Sequence, residues 1–384
     1  MGITARGVGL LVAAVVLLGA GFRFAYPELT LLGAAAGAAV GYAALTAAWR
    51  PRLVVARRAD PDRVSRGEPA SMTLTVRNAG RLRSANLLAE DRCGSRAVPV
   101  PLLRLRPGRD TEVRYDVPTD RRGVVAVGPL RVTRRDPLGL VALARPYGET
   151  APVWVHPRIH PLSAVPTGAG RSLDGRIDGV PHGSITFDSL REYVVGDELR
   201  RVHWRTSARV GELMVRENVD TSLPSLVVLL DNRAAAHPHR TGGVAESFES
   251  ACEAAASVVA AAHRADLPVL LLLVGPEPSE DGPAGVGPLD RLAAADLSDS
   301  DDALRAVTTR LRQERLGDTL IFLTGPGGRD GLGHVGALRG AYPSVVVGVF
   351  GAAEPTPAGT AGLVVVDAAD GAQFAAEWDG VRRW

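Results

Sequence analysis

The sequence predicts a multidomain chain: an N-terminal transmembrane helical hairpin, a β-sandwich, then an α/β doubly wound domain. Three observations carry that expectation. Two long apolar runs stand near the start, short segments of alternating polarity follow, and continuous apolar runs separated by helical stretches fill the rest. The 384 residues suffice for two or three cores. The expected divisions are a hairpin at 1–50, a β-rich region at 51–160, a linker with a polar segment at 161–220 and the α/β domain at 221–384.

Gly7 to Phe22 and Leu29 to Trp49 are the apolar runs, which place spans at about 7–24 and 29–49. Arg23 can snorkel to the interface, and Pro27 and Glu28 make the turn. Arg6 precedes the first run, and Arg50, Arg52, Arg57 and Arg58 follow the second. The positive-inside rule therefore predicts a multi-pass protein of the inner (plasma) membrane, with the lipid bilayer as a partner and residues after 50 in the cytoplasm. The competing reading is a cleaved signal peptide, with Arg6 as its basic region and 8–18 as its apolar core. Gly33, Gly37 and Gly41 recur every fourth residue, a smooth helix face suited to close packing within the hairpin or in a homo-oligomer.

From residue 52 the period becomes two. Met72, Leu74 and Val76 alternate with Thr73, Thr75 and Arg77, and Val113, Tyr115 and Val117 with Arg114 and Asp116. Turn residues at Asn78 to Gly80, Pro107-Gly108 and Arg122-Gly123 punctuate these strands. An immunoglobulin-like sandwich follows, closed by a turn at Asp136 to Leu140 and one more strand near Pro152 to Val155.

The α/β domain is read from strand-like runs at 225–231, 268–274, 318–324, 344–350 and 363–366. Helices are expected at Val244 to Asp266, Ala303 to Arg315, Gly333 to Tyr342 and Ala372 to Arg383. Ligands of such sheets bind at the carboxyl ends of the strands, here the loops at Asp231 and Thr324. With Asp231 ending the first strand, the layout resembles the von Willebrand factor A fold, whose metal site is Asp-x-Ser-x-Ser. Arg233 and Ala235 stand where the two serines belong, and Thr324-Gly325 replaces the usual Thr-Asp. The resemblance implies Mg²⁺; the departures imply that the site is eroded, with no cofactor and Arg233 paired to Asp231 instead.

Phe187 to Asn218 is the densest polar segment, with six arginines (191, 200, 201, 205, 209 and 216) among six carboxylates. A turn at Gly196-Asp197 is expected, then a helix N-capped by Asp197 and ended by Gly211, with Leu199, Val202 and Thr206 inward. Its spacing Leu190, Arg191, Tyr193, Gly196, Asp197, Arg200, Trp204, Ala208 and Arg209 resembles the bacterial membrane family known as domain of unknown function 58. Arg122-Gly123 and Asp136 to Leu140 fit the same resemblance. It implies work beside MoxR-type AAA+ ATPases in complex assembly or maturation. Two uses of the segment remain open. Arg–carboxylate pairing can fix it to the α/β domain, or Arg191, Tyr193, Asp197, Arg200, Trp204, Arg205 and Arg209 can form a docking surface for a protein partner.

Enzymatic chemistry has little support. His203 and Ser207 are four apart with Asp197 nearby, yet no nucleophile elbow accompanies them. Gly325 to Gly328 lacks a phosphate-loop lysine, and indeed no lysine occurs anywhere in the chain. A net charge of +2 with interleaved carboxylates argues against nucleic acid. Cys93 and Cys252 stand in no motif and read as free thiols. A non-enzymatic binding or assembly protein is the expectation. The alternative is a metal-dependent or hydrolytic activity in the α/β domain.

Overall fold

A computed structural model describes residues 2–48, 52–80, 87–100, 108, 110–166, 186–193, 202–220, 225–276, 287–300, 302–314, 316–357 and 363–381. The chain is multidomain, with sheet-rich regions behind two N-terminal apolar helices. It divides into one unit of Met1–Arg158 with Leu289–Ala294, and a second of Ile159–Pro288 with Ala295–Trp384.

The first unit opens with strand β1 (Gly2–Ile3) and helices α1 (Ala5–Phe24) and α2 (Pro27–Ala48). Both helices are long and apolar enough to cross a membrane. Thr4 N-caps α1 through the Gly7 amide, and Ala25 ends it in the left-handed region, with φ 53°. Gly7, Ala14 and Gly21 line one seam of α1 at seven-residue intervals. The glycine series of α2 splits. A Cβ on Gly33 would stand 2.8 Å from the Leu18 amide nitrogen, whereas Gly37 and Gly41 have no neighbour within 4 Å. Only Gly33 serves the hairpin seam, because an i, i+4, i+8 row drifts round a helix of 3.6 residues per turn.

The strands that follow are β2 (Leu53–Asp60), β3 (Arg63–Ser65), β4 (Ala70–Asn78), β5 (Leu87–Cys93) and β6 (Arg96–Val100). Then come β7 (Asp110–Val117), β8 (Gly123–Val127), β9 (Leu130–Arg135), β10 (Val141–Tyr147) and β11 (Ala151–His156). One sheet runs β2-β4-β7; the other runs β1-β10-β9-β5-β8-β11-β3, with β6 paired to β5. Leu74 and Val76 of the first pack on Leu87, Ala89, Leu130 and Val132 of the second, so alternate residues of each strand form the core. One polar group crosses it. Arg57 and Asp91, 3% and 0% exposed, pair at 2.9 Å, and the Tyr115 hydroxyl donates to Asp91 at 2.6 Å. Burial, then the bond to Asp91, push the Tyr115 phenol up.

The Asp136 to Leu140 turn is followed by the expected strand, β11, and before it by a strand not foreseen, β10. Asp136 is buried and accepts from the Leu138 amide at 2.8 Å and the Val141 amide at 2.6 Å, which fixes the turn. The turn in turn receives the first helix. Thr4 donates from its amide to Leu140 O at 3.0 Å and from its hydroxyl to Gly139 O at 2.8 Å. Gly2 and Ile3 pair with Ala142 and Val141, and Ala43 and Ala47 of α2 share a core with Leu140 and Val141.

The second unit holds a hairpin of β12 (Thr186–Glu192) and β13 (Met214–Asp220) enclosing α3 (Trp204–Val210), so the expected linker is structured in part. Next come β14 (Leu226–Leu230), α4 (Glu246–Arg264), β15 (Val269–Leu273), α5 (Pro288–Ala294) and α6 (Ala303–Glu314). β16 (Thr319–Thr324), α7 (Leu332–Gly336), β17 (Ser344–Phe350), β18 (Val364–Ala368) and α8 (Gly371–Gly380) complete it. Of α5, Leu289–Ala294 group with the first unit, where Asp290 accepts from Arg63 and pairs with His156. Five strands form a parallel sheet in the order β15-β14-β16-β17-β18. Val227, Leu229, Leu320, Phe322, Val345 and Val347 face α6 and α7, while α4 lies against the strands from the opposite face. Continuous apolar strands are the consequence of this double cover.

Candidate functional site

In a sheet of this order the connections diverge between β14 and β16, and the crevice beyond their carboxyl ends is where such folds take ligands. Two of the loop residues singled out in the sequence meet there. Asp231 follows β14 directly and Thr324 ends β16. The Thr324 hydroxyl donates to Asp231 Oδ2 at 2.7 Å. Arg233 turns back on Asp231, with Nε to Oδ1 at 2.8 Å and Nη2 to Oδ2 at 2.7 Å, and its amide donates to Oδ1 at 3.2 Å. Asp231 is 0% exposed and the Arg233 side chain 12%.

These four bonds use the four lone-pair positions of one carboxylate. A hard cation needs carboxylate oxygens of its own, and the guanidinium already supplies the positive charge. The donor set therefore does not fit Mg²⁺, and among the described residues no group of three or more His, Cys, Asp or Glu is placed to hold a metal.

The sequence reading missed the residues that brace this site. The imidazole of buried His237 donates from Nε2 to the Asp231 carbonyl at 2.8 Å and accepts the Ser247 hydroxyl at Nδ1, also at 2.8 Å. A carbonyl only accepts, which assigns this tautomer. Burial pushes His237 below its ordinary value, only partly offset by the Asp231 carbonyl. Asn232 accepts from the Gly275 amide at 2.6 Å and donates to Asp296 O at 3.1 Å. The glycines of the 325–328 loop find their reason here as well. A Cβ on Gly327 would collide with Ala235 O, and one on Gly328 with the Thr324 hydroxyl. The loop is glycine-rich for close packing against the turn at Ala234–Ala236. A lone histidine six residues past Asp231 is too weak a signal to be found by pattern.

The polar segment is placed in part. Asp197 and Arg200 lie outside the described residues, as do Gly196 and Leu199. Arg191 stands in β12 opposite Val215, and the Tyr193 amide donates to Leu213 O at 2.7 Å. The helix starts later than expected. His203, not Asp197, is its N-cap, with Nδ1 accepting from the Thr206 amide at 3.2 Å. The reason is that Val202 bridges to Val215 and the His203 amide donates to Met214 O, so residues 202–203 pair with β13 and do not join the helix. Gly211 ends the helix at φ 86°. Ser207 is buried; its hydroxyl donates to His203 O at 3.1 Å and accepts the Met214 amide at 2.8 Å. It fastens the turn and is no free nucleophile. Trp204 is 65% exposed, and Arg205 and Arg209 are exposed beside it.

Residues 189–306 match the model of the family described as "Protein of unknown function DUF58". That match supports the DUF58 family, and it spans α3, β13, the Asp231 loop and α4. No curated protein matches the chain. Among solved structures, a CARDB domain in complex with di-metal ions from Pyrococcus furiosus is 18% identical, over 27% of this chain and 93% of that one, with a TM-score of 0.20. A β-glucosidase from Listeria innocua in complex with glucose is 12% identical, over 27% and 16%, with a TM-score of 0.16. A cycloisomaltooligosaccharide glucanotransferase from Paenibacillus sp. is 9% identical, over 77% and 45%, with a TM-score of 0.16. Likenesses this slight say nothing of activity.

Proposed function

We propose that this chain is a membrane-anchored, cytoplasm-facing binding or assembly protein that works with a MoxR-type AAA+ ATPase. The reading takes the hairpin as a multi-pass anchor in the bacterial inner membrane. It takes the second unit as a von Willebrand A-like domain that has replaced its metal by the Arg233 guanidinium. One observation carries the docking claim. Trp204, 65% exposed, stands on a short helix pinned at both ends, with Arg205 and Arg209 exposed alongside. A rigid exposed aromatic flanked by arginines is the composition that dominates interface energetics. The closed Asp231 site supports a binding role over hydrolysis, since its carboxylate has no lone pair left for a reacting group.

The test is capture of the ATPase by the full chain in detergent. Wild type should retain a MoxR-type ATPase, and Trp204→Ala/Arg205→Ala should lose it while melting as wild type does. Equal capture by both chains returns α3 to a structural role.

A further inference from the structure

The broad face of the sandwich carries a cavity of about 410 Å³ that the proposed docking role does not use. Arg92, Arg96, Arg131 and Arg145 line it, with Glu90 and Asp91. Asp91 adds no charge there. Its carboxylate accepts from Arg57 at 2.9 and 3.1 Å and from Tyr115 at 2.6 Å. Arg92 and Arg131 thus share the outer face of the sheet with one effective carboxylate, Glu90, while Arg96 stands 3.8 Å from Asp120 at an exposed edge and Arg145, opposite Val132, turns toward the hairpin. Forked guanidinium groups match phosphate oxygens in pairs.

The position of the cavity names the source of the anion. Arg145 donates from Nη2 to the carbonyl of Ala48, the last residue of α2, at 3.1 Å. Arg145 lies on β10, the strand that also pairs with β1 just ahead of α1. The same end of the hairpin is tied to the Asp136 turn through Thr4, and Leu138 on that turn is 51% exposed. On the anchor reading, these ties put β10 and its basic cavity beside the ends of both helices, where they would leave the bilayer. The wall also carries Ala144 and Pro146, small apolar surface suited to a glycerol backbone. Basic pockets beside helix ends on the cytoplasmic side are where acidic headgroups bind.

We propose that this cavity binds the phosphate headgroup of an anionic phospholipid in the leaflet at the N-terminus of α1 and the C-terminus of α2. The proposal rests on the membrane-anchor reading above and is independent of the ATPase.

The experiment titrates the purified full chain in a zwitterionic detergent with dihexanoyl phosphatidylglycerol, dihexanoyl phosphatidylcholine and inorganic phosphate, read by thermal shift. Phosphatidylglycerol should raise the melting midpoint saturably and phosphatidylcholine should not. Arg92→Gln/Arg131→Gln should weaken the response by about ten-fold or more. Both residues are exposed, so the unliganded midpoint should hold, and Arg77→Gln on the opposite sheet should bind as wild type. Phosphate as effective as phosphatidylglycerol would overturn the lipid assignment in favour of a free anion. An unchanged response in the double variant would overturn the site. Carbonate extraction of membranes tests the anchor separately: a chain released by carbonate sinks the anchor reading whatever the headgroup titration shows.

Discussion

Among the described residues, each unit holds an Arg–Asp pair with little exposure, and the two are built in opposite ways. In the sandwich, Arg57 on β2 meets Asp91 on β5 and is joined by Tyr115 on β7, so the cluster ties one sheet to the other. Arg57 also reaches Glu149 O at 2.7 Å. In the α/β unit, Arg233 and Asp231 are two residues apart, and only Thr324 comes from another strand. The first pair is a long-range bolt through a core; the second is a local plug in a crevice. Dehydrating two charges costs several kcal/mol per ion in either place, about what their attraction returns. Location then decides what breaking the pair does: the bolt holds the fold, and the plug closes a site.

The largest effect should follow from cutting the bolt. Asp91→Ala strands the Arg57 guanidinium, 3% exposed, between two sheets. The expected loss is about 3–5 kcal/mol, the usual cost of an uncompensated buried charge. Tyr115→Phe removes one hydrogen bond to a charged group and should cost about 1.5–3 kcal/mol. Denaturant unfolding of the full chain in detergent measures both. A loss for Asp91→Ala no greater than for Tyr115→Phe would mean that Arg57 escapes to solvent and the bolt is no bolt.

Cutting the plug should cost less, because Arg233 stands at the rim, 12% exposed, and can turn outward. Asp231→Ala is expected to lose about 2–3 kcal/mol, the scale of hydrogen bonds to a charged group. The sharper contrast is chemical. Calorimetric titration of the wild type with Mg²⁺ should give no saturable heat. A saturable signal that Asp231→Ala abolishes would show that the guanidinium yields to a metal, and the closed-carboxylate account would fail.

Legibility follows the same division between local and long-range. The hairpin, the alternating strands and the continuous strands were readable, because each depends on a period set by neighbours in sequence. The meeting of Asp231 and Thr324 was readable because each stands at the carboxyl end of a strand in one parallel sheet. Arg57, Asp91 and Tyr115 were not. They are separated by 34 and 24 residues, and each sits in an ordinary alternating strand. The Asp136 turn was seen as punctuation, yet its role as the seat of α1 depends on Thr4, more than 130 residues earlier. The cap of α3 at His203 was not legible for a related reason. An acidic residue ahead of a polar run satisfies the capping pattern, but the pairing of Val202 with Val215 leaves the cap of α3 to His203.

The smallest effect expected is a pH slope below neutrality from the plug. His237 is buried, linking the Asp231 carbonyl to Ser247 at the start of α4, and burial holds its imidazole below the ordinary value of 6.5. The native state therefore excludes a proton that the unfolded chain accepts. The contribution is complete above about pH 6.5 and is lost as pH falls through the lowered native value. Protonation would put a second donor at Nδ1, so Ser247 could no longer give its hydrogen there. Melting midpoints of the full chain should decline below pH 6.5, and the decline should flatten in His237→Gln. If the slope of the variant matches that of wild type, the pH response belongs to other groups and the plug is insensitive to protons.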